Sequence, residues 1–161
     1  MADNSSLVAR IEPLTAGDAV AVAQCIALDT DTFPYASATF GLREAAARAW
    51  VARDVRNPEG RFPVIGFIAG HHRRGTLHIG GLAVDPRVRR RGVGRALLLE
   101  AVDSARGEGM GALALHVSVA NRVAIELYRR EGFSVRARLQ RFYPSSAYGG
   151  ERDAYEMQLR L

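Results

Sequence analysis

The chain contains no lysine: all 22 of its basic side chains are arginine. The phosphate-binding loop that ends in Gly-Lys-Ser/Thr is therefore excluded, because nothing can supply its ammonium. The dinucleotide pattern GxGxxG fails as well. Gly92 and Gly94 are present, but Leu97 stands where the third glycine belongs. There is one cysteine, Cys25, so an internal disulfide is excluded. It lies in the apolar run "AVAVAQCIAL", which reads as a buried structural thiol more than a reactive one. No stretch approaches the roughly 20 apolar residues needed to span a bilayer. The opening "MADNSSLVAR" carries no apolar signal core, so a reducing cytoplasm is the expected compartment. Repeats, low-complexity tracts and long linkers are missing too. The expected organisation is one domain over residues 1–161, with 1–6 as a flexible tail.

What is present is ordinary for a globular protein, with 48% apolar and 24% charged residues. The net charge is +5, and five arginines (Arg87, Arg89, Arg90, Arg91, Arg95) crowd one short segment. The other 17 basic residues balance the 17 acidic ones, so the positive excess is local. A nucleic-acid-binding face would spread it more widely, and no nucleic-acid or membrane partner is expected.

Periodicity divides the chain into short elements. "LVARIEPL" alternates like a first strand, and Thr15 is the N-cap candidate for a helix over "AGDAVAVAQCIALD". After the X-Pro loop "DTFPYASATF", the stretch "GLREAAARAWVARDV" reads as a second helix that yields to a strand near Val51. The turn "NPEG" precedes two strands, Phe62–His71 and Thr76–Val84, joined by "HRRG". Gly80 and Gly81 inside the second predict a bulge or a close backbone approach. A helix over Arg95–Arg106 ends at "GEGMG", and "ALALHVSV" follows as a buried strand. Asn121 opens the amphipathic helix "NRVAIELYRREGF", closed by Gly132. "FSVRARLQRFY" and "RDAYEMQLRL" make two last strands around "SSAYGG". The order βααβββαβαββ is that of a mixed α/β domain.

The arginine cluster has a specific setting: a strand, a tight Arg/Gly loop, then a helix starting near Gly92. Glycines let backbone N–H groups approach an anion, and a helix N-terminus adds favourable partial charge. A solvated charge run before a capped helix would not need glycines at that turn. The segment reads as an anion site. Further on, Asn121, Ala124, Ile125 and Tyr128 share one helix face. Taken alone, Asn121 is equally an N-cap, and Tyr128 a core aromatic with a wet hydroxyl.

Together these segments identify a family. "LAVDPRVRRRGVGRALL" resembles the acetyl-CoA signature of the GNAT N-acetyltransferases, R/Q-x-x-G-x-G/A, met by Arg89, Gly92 and Gly94. "NRVAIELYRREGF" resembles the family's N-x-x-A-x-x-x-Y-x-x-x-G-F helix. The resemblance implies the GNAT fold: a mostly antiparallel central sheet flanked by helices, with splayed central parallel strands. It implies acetyl-CoA as co-substrate and coenzyme A as product. The loop Arg89, Arg90, Arg91, Gly92, Val93, Gly94, Arg95 and Ala96 would hold the pyrophosphate. Leu82, Ala83 and Val84 would pair with the pantetheine arm like an added strand, and Asn121 would hydrogen-bond it. Tyr128 would protonate the departing thiolate. No metal is expected.

Acyl transfer also needs a neutral amine and therefore a base. Of the four histidines, His71 and His72 lie at a hairpin turn and read as solvated, whereas His78 and His116 lie mid-strand. Either of the latter two is equally a core histidine satisfied by the backbone. "LHVSVANRVAIELYRREGF" is similar to the acetyltransferases that modify protein α-amines, where a strand histidine, matched by His116, works through water with a strand tyrosine. That tyrosine's position is His78 here, a departure from the pattern. "DTFPYASATF" and "QRFYPSSAYGGERDAYEMQLRL" resemble the substrate-holding loops of that branch, so Phe33, Pro34, Tyr35, Phe142 and Tyr143 are candidate walls of a peptide groove. They could also simply pack two loops together. The expected acceptor is a protein or peptide N-terminus. The alternatives are a small-molecule amine (an antibiotic, a polyamine or an amino acid), a silent domain that senses CoA, and a nucleic-acid binder.

Overall fold

The computed structural model describes residues 9–33, 47–60, 63–144 and 147–161. Seven strands form one sheet: β1 (Ala9–Pro13), β2 (Ala47–Asp54), β3 (Val64–Arg73), β4 (Thr76–Val84), β5 (Ala112–Ser118), β6 (Ser134–Leu139) and β7 (Ala154–Arg160). Their order is β1-β2-β3-β4-β5-β7-β6. Only β4 and β5 run parallel; every other neighbouring pair is antiparallel. The described α-helices are α1 (Ala19–Thr32), α2 (Val93–Gly107) and α3 (Arg122–Arg130). The expected tail 1–6 and the first part of the expected second helix, 41–46, lie outside the described residues.

Both sheet faces are covered. α2 turns Val93, Leu97, Leu98, Ala101, Val102 and Ala105 onto the sheet, the spacing of a one-faced helix. They meet Ile68, Leu77, Leu113, Leu115 and Met157, and α3 adds Ile125 and Tyr128. α1 seals the opposite face over Val51, Phe67, Ala69 and Ala83. Burial of each such large side chain contributes roughly 1.5–3 kcal/mol.

Cys25 lies under α1 and is inaccessible to solvent. Burial pushes its thiol up to about 12, so almost no thiolate exists at neutral pH. Thiol reagents are expected to leave the folded protein untouched and to titrate one thiol after unfolding. Stoichiometric labelling of the native protein would show the packing to be wrong.

Three sequence expectations need correction. The strand expected near Val51 begins earlier, at Ala47, so "ARAW" is not helical but opens β2, paired to β1 on one edge and β3 on the other. Alanine and arginine favour helix locally, but Ala49 and Val51 pack under α1 while Trp50 and Ala52 join the α2 side. Burial on both faces overrides propensity. α1 is capped by Asp18, whose carboxylate accepts the Ala21 N–H at 2.9 Å, rather than by Thr15. β6 stops at Leu139, so Phe142 and Tyr143 leave the sheet after Arg141, which has φ +52°.

The β3–β4 hairpin turns through Arg74 and Gly75, both left-handed, as a two-residue turn requires. The bulge expected at Gly80–Gly81 is present: the register slips where Ala69 faces Gly81 and Gly70 faces Ile79. Gly70 is sterically required there, because a Cβ would lie 2.4 Å from the His78 carbonyl oxygen. The bulge redirects β4. Its pairing with β5 covers only Thr76–Ile79 against Ala112–Leu115. Beyond that point the two strands separate.

Candidate active site

The separation opens a cleft with about 490 Å³ of empty space, part of it open to solvent. Ile79, Gly80, Gly81 and Leu82 wall one side, and Leu115, His116, Val117 and Ser118 the other. Asn121, Ala124 and Tyr128 line it from α3, with Phe33, Tyr143 and Tyr148 at its rim. Over Gly80–Val84 the β5-side edge of β4 pairs with no strand among the described residues. Its backbone groups, except the Val84 carbonyl that accepts from Arg89, are available to an extended ligand.

α3 is built to hold Tyr128. The Asn121 side chain caps it by accepting the Ala124 N–H at 3.2 Å. Its far end is a complete Schellman motif, in which the N–H groups of Gly132 and Phe133 donate to the carbonyls of Arg129 and Tyr128. Gly132 has φ +92°, and the Phe133 ring lies 5.6 Å from the Tyr128 ring. The Tyr128 backbone and ring are thus both fixed. Burial pushes the phenol well above its ordinary range, and the nearby Tyr148 adds to the effect. Tyr128 stays protonated and has a hydrogen to donate.

The arginine–glycine loop starts with a 3-10 turn over Pro86–Val88, and the Asp85 carboxylate accepts the Arg87 N–H at 2.9 Å. Arg90 and Gly92 then both turn left-handed, φ +64° and +81°. α2 begins at Gly92 with no side-chain cap, unlike α1 and α3. Its first N–H groups therefore have no internal acceptor and point out of the helix end. This suits an anionic diphosphate.

The arginines divide their labour. Arg89 donates from Nε to the Val84 carbonyl at 3.0 Å, tying the loop back to β4. Arg87 pairs with Asp85, and Arg95 reaches Glu131 at 2.5 Å, beyond the end of α3. Arg90 and Arg91 are exposed and form no ion pair among the described residues. They are the cations left for a ligand.

On the sheet's α1 side, His71, His78 and His116 come together. His78 lies directly across from His71, rings stacked at 5.4 Å. His78 is held below the usual histidine range by burial first, then by the charges of His71, Arg73 and His116, with Glu156 opposing. It is neutral at physiological pH. His116 faces Glu156 on β7, with its Nε2 3.6 Å from the carboxylate. Phe142 packs on its ring at 4.6 Å.

A model of the acetyltransferase (GNAT) family matches residues 19–133. The chain belongs to the GNAT acetyltransferase family. Among curated relatives, this GNAT chain is 38% identical over 80 residues to the [Ribosomal protein bS18]-alanine N-acetyltransferase of Escherichia coli, 50% of this chain and 53% of that one. It is 34% identical over 112 residues to the streptothricin acetyltransferase of Streptomyces lavendulae, 70% of this chain and 58% of that one. The matches thus span about half the length of these relatives. The Arabidopsis thaliana NAA60 structure with a bisubstrate analogue superposes with a TM-score of 0.81 at 24% identity, covering 94% of this chain and 97% of that one. The expected GNAT fold is borne out.

Six of the expected site residues line the cleft of the GNAT chain: Leu82, His116, Asn121 and Tyr128, with Phe33 and Tyr143. His78, Val84, Phe142 and the loop residues Arg89 to Ala96 do not line it, and Ala83 is turned under α1. Pro34 and Tyr35 lie outside the described residues. Sequence reasoning missed Ser118, Tyr148 and Glu156. Ser118 could have been found as the buried end of β5, but Tyr148 sits in a left-handed turn (φ +46°) with no periodic signal. Glu156 becomes visible only through the β5–β7 register.

Proposed function

We propose that this chain transfers the acetyl group of acetyl-CoA to a primary amine by direct attack in a ternary complex, the acceptor being the N-terminal α-amine of a protein or peptide. The observation that carries this reading is the splayed cleft beside β4, with the buried Tyr128 phenol in its wall and an uncapped helix N-terminus following the same strand. Acetyl-CoA supplies the activated thioester. The α2 N-terminal amides and Arg90 and Arg91 bind its phosphates, while the free β4 edge pairs with the pantetheine arm. A strand N–H beside the bulge near Ala83 stabilises the thioester oxygen as it gains charge. Tyr128 gives a proton to the departing sulfur, and an imidazole from His116 or His78 takes one from the amine. Cys25, sealed under α1, is unsuited to carry the acetyl group. A single buried thiol supports a reducing cytoplasm as its compartment.

The aromatic cluster of Phe33, Tyr143 and Tyr148 in the cleft wall, with the exposed Phe142 packed on Tyr143, supports a peptide acceptor, since rings there can pack against an extended chain. A small amine is the second reading, favoured by the longer match to the streptothricin enzyme. A thiol-release assay over N-terminal peptides, lysine peptides and small amines decides between them, with calorimetry of acetyl-CoA alongside. Fastest turnover is expected with N-terminal peptides. Preference for a small amine would reject the peptide acceptor, and no acetyl-CoA binding at high micromolar concentration would reject the enzyme.

A further inference from the structure

We infer that Glu156 is a positioning residue of the acceptor site: its carboxylate holds the His116 imidazole with its hydrogen on Nε2 and leaves Nδ1 to take the acceptor's proton. The inference rests on the acetyltransferase reading above. Glu156 and His116 face each other directly on adjacent antiparallel strands, so their side chains rise from the same side of the sheet. Both are half-exposed, and 3.6 Å separates Nε2 from Oε2. That is longer than a hydrogen bond, as catalytic contacts often are before substrate is bound. On the other side the ring is pinned by Phe142.

Among the described residues, the ion-pair partner of this carboxylate is His116. Opposite Glu156 on β6 stands Ala137. His71, Arg73 and His116 act on the neighbouring His78 as positive charges and Glu156 opposes them, while Phe142 packs on His116. An ion pair this exposed contributes little to stability. A carboxylate beside one ring nitrogen nevertheless decides which nitrogen carries the hydrogen. His116 lines the cleft, so the nitrogen kept free is offered to a group bound there.

The proton balance is simple. As the N–C bond forms and the C–S bond breaks, one proton leaves the acceptor nitrogen for His116 Nδ1. The sulfur takes one from Tyr128. Solvent then carries the imidazolium proton back to the phenolate. During the step, Glu156 faces an imidazolium rather than an imidazole, so its charge favours proton removal.

The test is Glu156→Gln, which keeps shape and removes charge, with Glu156→Asp as the conservative variant. Acetyl-CoA affinity and Tm are expected to match the parent protein. kcat is expected to fall about tenfold, short of the 10²–10⁴-fold a general base supplies. By NMR, the ring-nitrogen shifts of His116 are expected to show hydrogen on Nε2 in the parent protein and a mixture of the two neutral tautomers in Glu156→Gln. Glu156→Asp should fall between. An unchanged tautomer in Glu156→Gln overturns the inference even if kcat falls. So does full turnover in Glu156→Gln, in a protein whose parent binds and turns over acetyl-CoA. Loss of acetyl-CoA binding in the parent protein would instead reject the enzyme reading, while the NMR comparison still judges the Glu156–His116 contact.

Discussion

Replacing Tyr128 with phenylalanine is expected to lower kcat by about a hundredfold or more, the lower bound for losing a positioned proton donor, and to leave acetyl-CoA affinity unchanged. The ring stays in place because its position does not depend on the hydroxyl: Phe133 packs against it, and the Schellman hydrogen bonds fix its backbone. Burial disfavours the phenolate, so Tyr128 is a poor acid toward solvent. The same cleft also disfavours a bare thiolate. The proton therefore moves only when the sulfur carries the charge, late in C–S cleavage. The measurement is kcat for thiol release under conditions where chemistry limits, together with the calorimetric dissociation constant. Unchanged kcat would remove Tyr128 from the reaction, and a large rise in dissociation constant would make it a binding residue.

The second large effect is expected at Gly92. With φ +81° at the start of α2, a β-branched side chain would cost roughly 1–2 kcal/mol in the left-handed region. Gly92→Val should therefore lower Tm modestly and swing the first helical N–H groups away from the phosphates. Hydrogen bonds to charged groups are worth about 1.5–3 kcal/mol each, so losing one weakens acetyl-CoA binding about ten- to a hundredfold. Gly94→Ala is the internal control. Its Cβ would meet Val84 Cγ2 at 3.5 Å and Leu127 Cδ2 at 3.9 Å, ordinary contacts, so most affinity should survive. Equal affinities for Gly92→Val and the parent protein would show that backbone amides do not form the anion cradle.

These residues also mark how far the chain could be read before folding. The loop and α3 were legible because their chemistry is local. A glycine at a helix start, an asparagine cap and a Gly-Phe ending lie within a few residues of the groups they serve. The bulge at Gly80–Gly81 was legible for the same reason. The first half of β2 was not, since "ARAW" has helix-favouring residues and becomes a strand only when β3 and β1 flank it. The roles of the arginines were not either. Five similar side chains in sequence become one tie to Val84, ion pairs to Asp85 and Glu131, and two cations without an ion pair among the described residues.

The sequence by itself determined the anion-binding turn, the capped helix that carries Tyr128, and the alternation that puts His78 and His116 on strands. Each follows from contacts between near neighbours in the chain, where spacing dictates geometry. Tertiary structure alone decided that β4 parts from β5 after Ile79 to make a cleft, that Tyr148 reaches its rim, and that Glu156 meets His116. Those outcomes depend on strand register. Glu156 is 40 positions away from His116 in the chain, and no local pattern sets which residue of β7 stands opposite which residue of β5.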